Sequence, residues 1–202
     1  MNMTKSKGEL RVAIKIYLDQ GHNPVNPNAG AEGNGLREQN IVFRIGVETA
    51  ALLNSDPNFE ARLSRPTAET QLGTSNATSL AARVQDANAW GADYFISLHT
   101  NASDIAAATG SEAFVYSQGS TAAALAADIL AALEEETGLY NRGVFSRPSL
   151  YVLRRTAMPA TLLELGFITN PRDARLMNES PELFARGIYE GIRRYSRREP
   201  NT

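Results

Sequence analysis

An α/β fold, a mostly parallel twisted sheet with helices on both faces, is what this sequence predicts. Three observations carry it. Strand-like and helix-like segments alternate from end to end with no linker between them. The strand segments are short and mostly apolar, as strands covered on both faces must be. The 202 residues, 43% of them hydrophobic, suffice for one sizeable core. A single folded domain is expected over residues 12–198, preceded by a polar tail at 1–11.

The elements follow in order. Val12, Ile14, Ile16 and Leu18 alternate with Ala13, Lys15 and Tyr17, which predicts a first strand. Asp19 to Gly35 is rich in Gly, Asn and Pro and reads as a loop long enough to be functional. A helix is expected from near Asn34 or Gly35 to about Asn54, with Leu36, Ile41, Ile45, Ala51 and Leu52 on its apolar face. Phe59 to Leu63 is a second strand. Thr78 or Ser79 should cap a helix that runs through Trp90 and ends at Gly91. Tyr94 to Leu98 and Glu112 to Tyr116 are strands, and Ser120 to Thr137 is an alanine-rich helix closed by Gly138. Leu150 to Leu153 and Thr161 to Leu165 read as further strands. Asn170-Pro171 and Ser180-Pro181 open two final helices.

Composition removes several function classes. Twenty basic against 22 acidic residues leave a net charge of -2, without the basic footprint of a nucleic-acid binder. With no cysteine, thiolate nucleophiles, disulfides and Cys-ligated metals are excluded. A metal would have to be held by carboxylates and the two histidines, His22 and His99. The longest membrane-span candidate, Thr121 to Leu133, is too short and carries Asp128. Met1 to Arg11 has no apolar stretch, so no signal peptide is visible. A cytoplasmic protein, a chain trimmed of its export signal and a protein released by lysis all fit.

Ligands of open α/β sheets bind beyond the C-terminal ends of the strands. His22 follows the first strand, His99 directly follows Leu98, and Glu164 lies near the end of its strand. Glu38 sits in the first turn after the long loop. Two histidines and a carboxylate make a catalytic zinc set that leaves room for water, whose pKa zinc lowers to about 7. A further carboxylate then serves as general base. Each residue also has a plainer reading: a loop or core histidine, a glutamate favoured by the helix dipole, a glutamate paired with an arginine. The zincin pattern His-Glu-x-x-His, the serine elbow and the Walker A loop are absent. The C-terminal arginines Arg193, Arg194, Arg197 and Arg198 are read mainly as complements to a helix end, and Trp90 as core.

Four motifs carry a resemblance. Ile16-Tyr-Leu-Asp-Gln-Gly-His22, Gly35-Leu-Arg-Glu-Gln-Asn40, Ile96-Ser-Leu-His-Thr-Asn101 and Leu163-Glu-Leu-Gly-Phe-Ile-Thr-Asn170 resemble, in order, those of the zinc-dependent N-acetylmuramoyl-L-alanine amidases of the Amidase_3 type. Arg142-Gly-Val144, Leu150-Tyr-Val-Leu153 and Met158-Pro-Ala160 resemble that family's connecting segments. The resemblance spans about Lys15 to Tyr195. It implies hydrolysis of the amide joining N-acetylmuramic acid to L-alanine in bacterial peptidoglycan, with His22, Glu38 and His99 as ligands of one zinc and Glu164 as the catalytic glutamate. It also implies action at the cell wall, outside the cytoplasm; a monomer is the default expectation. A catalytic fragment, a sporulation or autolytic enzyme and a phage-type lysin all fit. Asn23-Pro24 stands where the family commonly has Gly-Gly or Gly-Lys-like residues, so the loop after His22 is expected to take its own path, with more effect on substrate contacts than on zinc binding. Only Thr100 to Ser111 separates His99 from the next strand, too short for a plugging insertion, so an open site is expected. The competing readings are a non-catalytic wall-binding or regulatory protein on the same fold, and a zinc hydrolase of another peptide amide.

Overall fold

The computed structural model describes residues 12–198, and the polar tail expected at 1–11 lies outside them. Six strands form the main sheet: β1 (Ile14–Gln20), β4 (Phe59–Leu63), β5 (Tyr94–Asn101), β6 (Ser111–Val115), β7 (Asn141–Ser146) and β8 (Ala160–Phe167). A small hairpin pairs β2 (Glu32–Gly33) with β3 (Leu36–Arg37). The helices are α1 (Glu38–Ser55), α2 (Asn76–Trp90), α3 (Thr121–Thr137), α4 (Tyr151–Arg155), α5 (Pro171–Glu179) and α6 (Pro181–Arg198). The sheet order is β4-β1-β5-β8-β6-β7, and every pairing is parallel except β6 with β8.

Because side chains alternate along a strand, each strand serves two cores. Ile14, Ile16, Leu18, Ile96, Leu98, Leu163 and Leu165 face α1, α3 and α6 in the larger one. Tyr17, Phe95, Phe114 and Leu162 face α2 and α4 on the other side. The alanine-rich α3 lets α6 come close. A Cβ on Gly187 would stand 2.9 Å from the Leu133 Cα, and one on Gly191 would stand 2.3 Å from the Ile129 Cα. Arg194 and Arg198 of α6 pair with Glu135 and Asp128 of α3, so this part of the C-terminal arginine cluster is held in ion pairs.

Several element ends match the sequence signals. Gly91 and Gly138 close α2 and α3 in left-handed conformations, and Asn170 caps α5 with Pro171 following. Others differ. Val12 is 81% exposed and β1 starts at Ile14. Asn34 and Gly35 do not open α1; at φ 53° and 73° they turn the β2–β3 hairpin, and α1 starts at Glu38. Ser75 caps α2 in a reciprocal box with Thr78, three or four residues ahead of the expected cap at Thr78 or Ser79. Leu150 to Leu153 is not a strand: Leu150 is the N-cap of α4 and the rest is helix. The actual strand there is β7, Asn141–Ser146, an edge strand whose polar and glycine residues give no apolar alternation.

Candidate metal centre

The site is assembled from three adjacent strand ends and one helix start. In the sheet register His99 of β5 lies opposite Glu164 of β8, and Glu164 lies opposite Glu112 of β6. His99 stands inside β5 rather than after it, just before a register shift that loosens the pairing with β8. His22 comes two residues past β1 in a left-handed conformation, φ 66°. Glu38 is the first residue of α1, delivered by the hairpin.

These side chains crowd one point. Glu38 Oε1 lies 3.0 Å from His99 Nδ1 and 3.2 Å from His22 Nε2. It also accepts a hydrogen bond from the Thr100 amide at 2.9 Å, and Oε2 accepts one from the Ala31 amide at 2.8 Å. The imidazoles meet edge to face, centroids 4.8 Å apart. Burial pushes the Glu38 carboxyl up, but bonds and charge from the two histidines outweigh it and hold it well below the ordinary carboxylate range. Two glycines make this approach possible. A Cβ on Gly21 would meet His99 Cε1 at 2.5 Å, and one on Gly30 would meet Glu38 Oε2 at 2.8 Å and His22 Cδ2 at 2.9 Å.

The donor set fits a divalent cation. One donor atom from each of His22, Glu38 and His99 lies within 4.8 Å of the others, so the three could hold a metal ion. Tetrahedral zinc with bonds of about 2.0 Å spaces its ligand atoms by about 3.3 Å, close to the two short contacts here. The histidine side chains keep 21% and 19% exposure, so the point they share opens to solvent. The link from β5 to β6 is tied to the start of α5. Asn170 Nδ2 donates to the Ala106 and Ala108 carbonyls at 3.1 Å, and Thr109 Oγ1 donates to Asp173 at 2.6 Å. Beside the histidines lies a cavity of about 130 Å³ walled by Leu80, Leu150, Tyr151 and Leu162.

Glu164 is differently placed. Its Oε2 is buried with no hydrogen-bond partner, and no ion pair to it exists among the described residues. Burial, with repulsion from Glu38 and Glu112, pushes its carboxyl up to about 8 against the pull of Arg147. Glu112 shows what Glu164 lacks. Its Oε1 accepts from Asn101 Nδ2 and its Oε2 from Arg142 Nε, both at 2.7 Å.

All four residues singled out in the sequence therefore gather at one place. A buried pair beneath them carries no local sequence signal. Arg83 of α2 donates to Asp19 Oδ1, the Gln20 carbonyl and the His22 carbonyl, each at 2.6 Å. Asp19 Oδ2 accepts from Ser97 Oγ at 2.7 Å. This anchors the peptide that carries His22. The next residue, Asn23, is fully buried and ties the loop down through the Pro27 and Leu72 carbonyls. That is the path Asn23-Pro24 takes.

Residues 16–194 match the family described as N-acetylmuramoyl-L-alanine amidase, Amidase_3. The chain is 34% identical over 185 residues to N-acetylmuramoyl-L-alanine amidase CwlM of Bacillus licheniformis, covering 90% of this chain and 68% of that one. It is 31% identical over 182 residues to the sporulation-specific N-acetylmuramoyl-L-alanine amidase of Bacillus subtilis (strain 168), covering 89% and 67%. The solved catalytic domain of CwlV, an N-acetylmuramoyl-L-alanine amidase from Bacillus (Paenibacillus) polymyxa var. colistinus, superposes with a TM-score of 0.78 at 27% identity, over 90% of this chain and 97% of that domain. With the fold, the ordered motifs and the sequence match all spanning nearly the whole described chain, it belongs to the Amidase_3 family of N-acetylmuramoyl-L-alanine amidases.

Proposed function

We propose that the chain is a zinc-dependent peptidoglycan amidase, acting outside the cytoplasm on the bond between the lactyl group of N-acetylmuramic acid and L-alanine. In this reading His22, Glu38 and His99 hold the zinc and Glu164 is the catalytic residue. One observation carries it: three donor atoms around a single point, with an unpartnered carboxyl oxygen one strand away. Zinc bound there would polarise the amide carbonyl and acidify a water. Glu38, kept ionised, supplies the negative charge of the site and fixes both imidazoles. Glu164 takes a proton from the attacking water at Oε2 and passes it to the leaving nitrogen of L-alanine as the C–N bond breaks. Burial raises its proton affinity, and the charge of a metal bound beside it would offset part of that rise, toward the range in which a group both accepts and releases a proton. No described helix is long and apolar enough to cross a membrane.

Mass spectrometry of purified peptidoglycan incubated with the protein tests this. Stem peptides with a new free L-alanine amine should appear, and chelator should suppress them while the helical circular dichroism survives, since both cores are assembled without metal ligands. Cuts within the stem peptide, or undiminished release after complete metal removal, would overturn the reading.

A further inference from the structure

The floor beside Glu164 continues across the sheet. Glu112 and Phe114 of β6 lie opposite Glu164 and Leu162 of β8, and Phe145 of the edge strand β7 lies opposite Phe114. The side chains of Glu164, Leu162, Glu112, Phe114 and Phe145 therefore share one face. Farther in, that face is covered by α4 and α2; here Phe145 is 46% exposed. Over this floor stands Arg147. Its guanidinium lies 4.4 Å from the centre of the Phe114 ring, and its backbone amide is fixed by the Val115 carbonyl at 2.8 Å. Arg142, the neighbouring cation, is engaged by Glu112, whereas Arg147 has no carboxylate partner among the described residues. An exposed guanidinium stacked on an aromatic ring keeps its hydrogen-bonding edge free for a planar anion.

The register spacing bears on which anion fits. From Glu164 to the Phe114 position is one strand spacing of about 4.8 Å across and two residues, about 6.8 Å, along, or about 8 Å in all. An extended peptide covers about 7 Å in two residues. We infer that Arg147 is a specificity-determining residue that binds a carboxylate of the stem peptide two residues beyond the scissile amide. The inference takes its substrate from the amidase reading above.

The test uses two synthetic muramoyl-L-alanyl dipeptides differing only in whether the second residue's carboxylate is free or capped as an amide. The corresponding L-alanyl dipeptides, which cannot be turned over, are titrated calorimetrically into the zinc-loaded protein. Wild-type should favour the free carboxylate by about tenfold in kcat/KM, chiefly through KM, and in Kd. Arg147→Ala should bring both ratios near one, Arg147→Glu should invert them, and Arg147→Lys should restore part of the preference. Ratios unchanged across the variants, or no preference in wild-type, would overturn the inference, even if thermal stability shifts. Cleavage of neither muramoyl peptide, with the binding preference intact, would sink the amidase reading and leave the carboxylate site standing.

Discussion

The buried arginine under the site and the buried glutamate within it solve opposite problems. Around Arg83, charge is matched: a carboxylate and two backbone carbonyls receive its protons, and Ser97 completes Asp19. Around Glu164, charge is left short: two neighbouring carboxylates and an oxygen without a partner. The first arrangement holds a backbone in place. The second raises the proton affinity of a buried carboxyl beside the candidate metal centre. Matched and unmatched buried charge thus sit close together at the same end of the sheet.

The largest expected effect breaks the matched side. Arg83→Met strands Asp19 and frees the His22 peptide, so it should cost about 3–5 kcal/mol in urea denaturation. Acid should reach the same network. Burial raises the Asp19 carboxyl, but Arg83 and Ser97 outweigh this and lower it, so its contribution is present above the ordinary Asp range and is lost as pH falls through the folded value. Asp19→Asn should remove that acid dependence.

Glu164→Gln attacks the short side. Turnover should fall by about 10²–10³-fold with zinc content unchanged in elemental analysis. Near wild-type turnover would remove Glu164 from the chemistry. The same variant should stabilise the metal-free protein at alkaline pH by about 1–3 kcal/mol. The sign follows from the raised carboxyl. Between its ordinary value of 4.5 and about 8, the folded chain keeps a proton that the unfolded chain has released. Stability of the metal-free wild-type should therefore decline as pH rises through that window, and the variant's urea midpoints should lack this decline. The smallest effect sharpens the contrast. Glu112→Gln removes one repelling charge and keeps an acceptor for only one of Arg142 and Asn101, so the Glu164 carboxyl should titrate lower in carbon-detected NMR of the metal-free protein. An unchanged titration would mean burial and Glu38 alone set its proton affinity.

The legible parts of the molecule were those with local causes. Gly138, Asn170-Pro171 and Ser180-Pro181 mark helix ends because caps are chosen by backbone conformation within a few residues. His22 and His99 were conspicuous as the two histidines of the chain, both at strand ends, Glu164 as a glutamate in an apolar strand, and Glu38 as the carboxylate that completes the set. What stayed hidden depends on neighbours distant in sequence. Leu150 to Leu153 is a four-residue apolar run, and only packing against α2 and β8 decides that it is helix. β7 is polar because it is an edge. Arg83 looked like any polar residue on an amphipathic helix; its role appears only when β1, 64 residues earlier, is folded beneath it. Glu112 acquires meaning only through its register with Glu164.

That register has a wider consequence. β6 runs against β8, so its beginning, not its end, reaches the rim of the centre, and Glu112 arrives there as the second residue of its strand. Inserting one residue between Glu112 and Ala113 would take either the glutamate out of its pairing with Glu164 or the rest of the strand out of its pairing with β8. The loop ahead of β6 can lengthen without disturbing this pairing, but the count of residues from Glu112 to Phe114 has almost no freedom.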